Sequence, residues 1–419
     1  MDKYNFLKTL EYELGNLDAE VKADILADFS EHFDVAAESG KTEGEICRTL
    51  GDPREIAREF IADYADERSK RAPEADAVPR GAFDETRVNG RPATVEKTDV
   101  IKIELIDCEL SIEGGDTDII DVSYTGDHGG RFITENTNGI YWIREKPQKQ
   151  FFDNFISRVF VSAGRNAIDM AVRVPRGFAG TIDAGTASGD VEAADLTHLR
   201  ALVLKTASGD IEIKSVSVSE DVKLSTGSGD ISAERATAGH KLYFNTGSGD
   251  VEINKCAAAV ETVVSTGSGD IEARASSGTL SAATGSGEID VNAHTGTVSG
   301  KTGSGDIDIN TDEIAADLTY VTGSGDIDVK VKKLSADIKM TTGSGDVSLR
   351  VEDLNGNVAV KTSTGDIQAA FGHDSDAAFK LKTGFSGSKR NAFPDTGRGA
   401  GKYTVALETH MGDIEVKAI

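Results

Sequence analysis

Eleven acidic side chains recur along the chain in one setting, Thr-x-x-Gly-[Asp/Glu]. They are Asp190, Asp210, Asp230, Asp250, Asp270, Glu288, Asp306, Asp326, Asp346, Asp366 and Asp413. A glycine-rich loop closed by an acid is able to cradle phosphate, ligate calcium or hold a catalytic carboxylate. The phosphate reading fails on detail, because TGSGDI offers only G-x-G, without the third glycine, the helix or the lysine. TGRGAGKY at 396–403 resembles a phosphate loop, but Thr396 replaces the first glycine and Tyr403 the final Ser/Thr. The calcium reading has a precedent in nonapeptide β-helices. Here each repeat brings one turn acid and often a second two places on, as at Glu192, Glu212, Glu252, Glu272, Asp308 and Asp328. That is short of the six to eight oxygens of a dedicated site. The functional reading left for Asp190 through Asp366 is a ladder of weak cation contacts, with no metal centre and no cofactor.

Catalysis finds little support. The seven histidines, at 32, 128, 198, 240, 294, 373 and 410, show no ligand spacing. An active site breaks a regular pattern at one place. The irregular place is 371–403, with His373, Asp374, Asp376, Lys389 and Arg390, and it reads as a solvated loop. The expectation is a protein that is not an enzyme.

The elements that hold the acids follow from their spacing. Successive acids lie 20, 20, 20, 20, 18, 18, 20, 20, 20 and 47 residues apart, the mark of a solenoid. Apolar residues stand one and three places after the acid (Ile211, Ile213) and six and eight before it (Leu204, Leu202). Alternation on both sides of a four-residue turn predicts two short strands per repeat, each with one inward face. Twenty residues leave no room for a helix as well. Coils stacked about 4.8 Å apart bring neighbouring carboxylates into a repulsion of about 0.9 kcal/mol in water, which an exposed corner tolerates if turn amides donate to the acids. The glycine before the acid is invariant among the eleven copies: Gly189, Gly209, Gly229, Gly249, Gly269, Gly287, Gly305, Gly325, Gly345, Gly365 and Gly412. Its partner two places earlier becomes Ala187, Ala207, Ser363 and His410. The invariant glycine is therefore expected at positive φ, and the recurrent Thr in an internal hydroxyl ladder.

Before the repeats the pattern changes twice. Residues 1–67 carry helical periodicity: Phe6, Leu7 and Leu10, then Val21, Ile25, Leu26, Phe29 and Phe33. Asp18 is an N-cap, Gly40 a stop, Thr42 with Glu45 a capping box, and Pro53 starts a fourth helix after Gly51. This predicts a small helical bundle. Residues 68–98 collect charge, Pro and Ala without apolar period and read as a linker. From Asp99 alternation sets in, with VIKIELIDCELSI, DIIDVSY, GIYWIRE, FVSAG and MAVRVP as strands. The fold expected is thus an α+β multidomain chain, with a β-solenoid of about 20-residue coils over 99–419. Within it 99–180 forms one cap, 181–370 the regular coils, and 371–419 an irregular loop ending in GDIEVKAI as the other cap. Its two ends need covering against aggregation.

Composition narrows the class. A formal net charge of −26 on 419 residues argues against direct nucleic-acid or anionic-lipid binding. No run of about 18 apolar residues offers a transmembrane helix. The acid-bearing N-terminus lacks a signal-peptide core, so the expected compartment is the cytoplasm. Three scattered cysteines, Cys47, Cys108 and Cys256, fit a reducing compartment.

Two resemblances rest on these residues. FLKTLEYELGNL and ILADFSEHFDVAAESGKTEGEICRTLGDPREIAREF, within 1–63, resemble the HTH-associated α-helical signalling (HAAS) domain in their helix–helix–(LG-x-P)–helix layout. The region from 99 on, with VRVPRGFAG leading into ASGDVE and the TGSGDI coils, resembles the bacterial "putative adhesin" or toast-rack β-solenoid family. The first resemblance implies a PadR-like winged-helix transcription regulator as partner. The second implies an envelope-stress or membrane-linked signalling setting, with an envelope-associated ligand. Together they imply a non-enzymatic signalling scaffold. The rivals are a surface adhesin or carbohydrate-binding protein, which needs export, and a polysaccharide-acting β-helix enzyme.

Overall fold

The computed structural model describes residues 3–15, 22, 26, 53, 54, 57, 85–87, 93–94, 98–125, 131–146, 168–385, 387–393 and 401–419. The chain divides into two units, one N-terminal and one containing the repeats. In the first, a helix spans Lys3–Glu13. Apolar residues four apart give it one buried stripe of Phe6, Leu10 and Leu14, while Tyr4 and Tyr12 stand 69% and 82% exposed. Lys22, Leu26, Pro53, Arg54 and Ala57 are also helical. The rest of the expected bundle, with Asp18, Gly40, Thr42, Glu45 and Gly51, lies outside the described residues.

The second unit is mainly β and built of parallel strands stacked in register. Ile211 pairs with Ile231, Ile231 with Val251, and Val251 with Ile271, so side chains of like type fall above one another. On the opposite wall Leu202 pairs with Val222 and Val222 with Leu242. The apolar positions one and three after each acid, and six and eight before it, point inward and form one continuous core. Offsets of 18 occur where Ile271 meets Ile289 and Ile289 meets Ile307.

Both ends depart from sequence order. Val100–Glu104 and Cys108–Gly115 do not cap the stack; they pair parallel with Thr181–Gly185 and Val191–Ala194 and act as a regular coil. One layer further out lie Ile140–Glu145 and Ile168–Pro175, flanked antiparallel by Phe132–Thr137 and Ile119–Thr125. The FVSAG stretch lies outside the described residues. Two short strands inside the stretch read as a linker, Glu85–Arg87 and Ala93–Thr94, pair antiparallel with Ile119–Thr125. At the other end GDIEVKAI does not close the stack. Ile414–Ala418 lies between Ile367–Phe371 and Lys389–Asn391, and Tyr403–Met411 lies between Val358–Thr364 and Ala377–Thr383. The irregular stretch is therefore the outermost layer. Backbone bonds dictate this order and leave no period in the sequence to announce it.

A change of wall geometry divides the stack. Asp195, Ser215, Arg235, Lys255, Ala275 and Ala293, each five places after its acid, adopt φ between 48° and 55° and make an extra corner. From Asp306 on, Ile307–Ile314, Ile327–Leu334 and Val347–Leu354 run straight through, with Thr311, Val331 and Val351 facing in. The two geometries meet in a register shift between Asn292/His294 and the strand Ile307–Ile314.

Candidate functional site: the Thr-x-x-Gly-Asp corner

Each corner is bonded to its neighbours through three atoms. The Thr hydroxyl is buried at the strand end; in Thr226 it donates to the Gly209 carbonyl of the coil before (2.9 Å) and accepts the Gly229 N–H of its own turn (3.1 Å). The same pair of bonds recurs from Thr206 to Thr322. The expected hydroxyl ladder is thus an alternation of hydroxyl and peptide groups. A Thr supplies this at low cost, because its β-branch suits the strand it ends.

The invariant glycine has a different reason from the one expected. Among the eleven, φ is positive only at Gly365 and Gly412. Instead the corners stack so closely that a Cβ on Gly229 would stand 2.0 Å from the Gly209 carbonyl oxygen. In every copy the corresponding distance is 1.8 to 2.1 Å, with backbone as the obstacle. Close approach of one coil to the next, not left-handed geometry, excludes a side chain.

The acids are caps. Asp210 N–H donates to Asp190 Oδ1 at 2.9 Å, Asp230 to Asp210 at 2.8 Å, Asp250 to Asp230 at 2.8 Å and Asp270 to Asp250 at 2.7 Å. The row continues from Asp270 to Glu288 and from Asp306 through Asp326, Asp346 and Asp366 to Asp413. Each carboxylate thereby accepts the amide that the next turn leaves free. One step is missing: among the described residues no bond joins the Asp306 N–H to the longer Glu288 side chain. Burial, with Asp308, Asp270, Asp290 and Asp306 around it, pushes the Glu288 carboxyl above its usual range. Burial does the same at Asp308, helped by Asp328 and Asp290. Asp308 belongs to a second acidic column, Glu252, Glu272, Asp290, Asp308 and Asp328, which are register neighbours. Among the described residues no group of three or more His, Cys, Asp or Glu side chains is placed to hold a metal ion.

A second row of the same kind escaped the sequence reading. Asp337 N–H donates to Asp317 Oδ1 (3.0 Å), Asn357 to Asp337 (2.8 Å), and Thr404 to Asn357 (2.9 Å). Its signal is an Asp or Asn nine places before the acid, also present at Asp221, which receives the Lys241 N–H. The turn between Val100–Glu104 and Cys108–Gly115, with no Thr-x-x-Gly-Asp corner in the layer outside it, is held by Glu145 of that layer instead. This buried carboxylate accepts Ile106 N–H (2.7 Å), Asp107 N–H (3.3 Å) and the Arg131 guanidinium (2.8 Å). Burial opposes its charge, but the Ile106 amide and Arg131 outweigh it and hold the carboxyl below its usual range. The same burial and the Glu145 charge push the Cys108 thiol up to about 12, an inert sulfur.

Of the loop residues, Lys389 and Arg390 lie on the outermost layer, where Arg390 pairs with Glu415. Asp376 accepts the Lys402 N–H (3.3 Å), and the His373 N–H donates to the Ile419 carbonyl (3.1 Å). No catalytic constellation assembles from them among the described residues.

Comparison with known proteins bears on the whole chain. No curated protein matches it. A putative cell adhesion protein of Clostridium sporogenes is similar over 81% of this chain and 100% of its own, at 9% identity and a TM-score of 0.25. A putative adhesin of Parabacteroides merdae is similar over 65% of this chain and 97% of its own, at 15% identity and a TM-score of 0.35. A putative lipid binding protein of Parabacteroides distasonis is similar over 79% and 98%, at 12% identity and a TM-score of 0.27. Family models match more directly, HAAS over residues 5–59 and Toastrack DUF4097 over 98–320 and 301–417. With most of its length matched in this way, the chain belongs to the Toastrack DUF4097 family and carries a HAAS domain at its N-terminus.

Proposed function

We propose that the chain is a non-enzymatic signalling scaffold of the cytoplasm. Its N-terminal helices, a small bundle over 1–67, hold a PadR-like winged-helix regulator. The coils of about 20 residues provide a rigid interaction or sensing surface in an envelope-stress response. The observation that carries this reading is the union of a HAAS domain and a Toastrack domain in one chain. Two further features support it. The acids of the corner are occupied in accepting backbone amides, which suits architecture better than chemistry. The helix Lys3–Glu13 keeps Tyr4 and Tyr12 exposed on the side away from its buried stripe, an aromatic ridge suited to docking.

Co-purification of the full chain from its host with a PadR-like protein tests the reading. The pair Tyr4→Ser with Tyr12→Ser is expected to weaken that complex at least tenfold while leaving the melting temperature unchanged. Recovery of the chain at the cell surface, bound to carbohydrate and without a regulator, would overturn the proposal in favour of an adhesin.

A further inference from the structure

One winding of the stack is joined to the next more weakly than the rest, that of 288–302 against 306–322. It begins at the corner where the Asp306 N–H finds no carboxylate on Glu288, although Asp270 below and Asp326 above make the regular bond. Along the following wall the register shifts between Asn292/His294 and Ile307–Ile314. On the opposite wall, Ile289–Thr302 meets Leu318–Thr322 only at Gly300 with Tyr320 and Lys301 with Val321. The same wall pairs five residues one winding earlier, 280–284 with 298–302, and five one winding later, 318–322 with 338–342. The second capping row does not cross this interface, because its first bond runs from the Asp337 N–H to Asp317. Some bonds do cross it: Ile289 N–H donates to the Asp306 carbonyl (3.0 Å), and the Thr311 hydroxyl to the His294 carbonyl (2.5 Å). The interface is weakened, not open.

The core changes at the same level. Leu204, Leu224, Phe244 and Val264 follow one another in register on the inner face, and Ala282 and Gly300 continue the column. The Tyr320 ring covers the space so left, with Cδ1 3.4 Å from where a Gly300 Cβ would stand. Over 181–370 the buried side-chain polar atoms without a partner are His294 Nδ1, Tyr320 Oη and Asp328 Oδ1. His294 and Tyr320 are paired across this very interface, with Thr311 and Gly300. A buried polar atom without a bond costs stability where it sits. Each coil of a solenoid is held only by the two beside it, so a weak interface borrows nothing from distant ones.

We propose that this interface is a seam, at which the solenoid parts into two blocks before either block unfolds. One block comprises the coils up to Thr302 and the other those from Ile307, joined by the corner 303–306. Local opening of this kind belongs to the least bonded part of a fold, and here the missing bonds, the shifted register and the unpaired polar atoms coincide.

Hydrogen-exchange mass spectrometry of the full chain in low urea tests the seam. Amides of 289–302 and 307–322 are expected to exchange at least tenfold faster than those of 251–264 and 338–351. A repaired chain carries Glu288→Asp, which restores the residue of the other ten corners, and Tyr320→Phe, which removes the unpaired hydroxyl. Phe244 shows that a phenylalanine fits this inward position. The repair is expected to slow exchange over 289–302 and 307–322 at least tenfold and to leave the flanking stretches unchanged. Equal exchange in all four stretches of the parent, or unaltered exchange in the repaired chain, overturns the proposal.

Discussion

At the scale of single residues, the corner distinguishes two glycines that look alike. Gly229→Ala sets a methyl 2.0 Å from the Gly209 oxygen and 2.4 Å from its carbonyl carbon, so backbone has to move in two coils at once. The expected cost is about 2 kcal/mol, in the range of core overpacking. For Gly227→Ala the nearest atom is the Ala207 oxygen at 2.4 Å, but the next lies at 3.4 Å. Ala207 already occupies the equivalent place, and its N–H still reaches the Ala187 carbonyl at 3.1 Å. That variant is expected to lose about 1 kcal/mol or less. Urea denaturation of the two proteins checks the order, and equal losses would refute the close-approach account. Asp230→Asn is expected to be nearly neutral in the same assay. Asn357 performs the identical task in the second row, accepting the Thr404 amide at 2.9 Å through its side-chain oxygen. Asp230→Ala, with no oxygen to offer Asp250, is expected to lose about 1 kcal/mol.

At the scale of elements, what was legible in the sequence is what repeats. Ile211, Ile231 and Val251 announce inward positions because each coil must present an apolar side chain at the same place. The extra corner was not legible. Its six residues at positive φ are Asp, Ser, Arg, Lys, Ala and Ala, with no glycine to mark it. His294 sits where that corner ends. It is 2% exposed, its Nε2–H donates to the Gly278 carbonyl (2.9 Å), and its Nδ1 has no partner. Inward positions on the strands around it are Ile271, Ala273, Leu280, Ala282, Ile307, Ile309 and Thr311, with the Tyr320 phenol as the titratable exception. Burial holds the imidazole below its usual value of 6.5. The unfolded chain then binds a proton before the folded one does, so stability is complete above pH 6.5 and falls as pH drops from there toward the folded value. Glu288 and Asp308, whose carboxyls are raised, act in the opposite sense, gaining stability as they protonate. The comparison that isolates the histidine is His294→Gln against the parent. The parent is expected to lose more melting temperature than the variant between pH 7 and pH 5, and parallel curves would refute the assignment.

At the scale of the whole molecule, the two acidic columns differ in how their charge is met. In the second column Glu212, Glu252, Glu272 and Asp328 are paired with Lys214, Arg274 and Lys330 of the same wall. The corner acids make no ion pair among the described residues, so their charge stays concentrated in one column. The hydrogen bonds of the corner hold each Asp in place but neutralise none of them. Repulsion along a column is a Coulomb effect in contact with water, so dissolved ions weaken it without needing a site. The expectation is a melting temperature that rises by a few degrees between low salt and about 0.15 M sodium chloride, where the screening length is about 8 Å. Millimolar calcium or magnesium should add a further small rise, equal for the two ions within error. A dedicated calcium site behaves differently, because six to eight oxygens at fixed distances prefer the larger ion. Scanning calorimetry in matched chloride salts reads the difference directly. A calcium-specific shift, or unfolding by chelator alone, would mean that some of these acids converge on an ion. Equal shifts that disappear in high sodium chloride would fix the row as architecture whose charge is tolerated, not used.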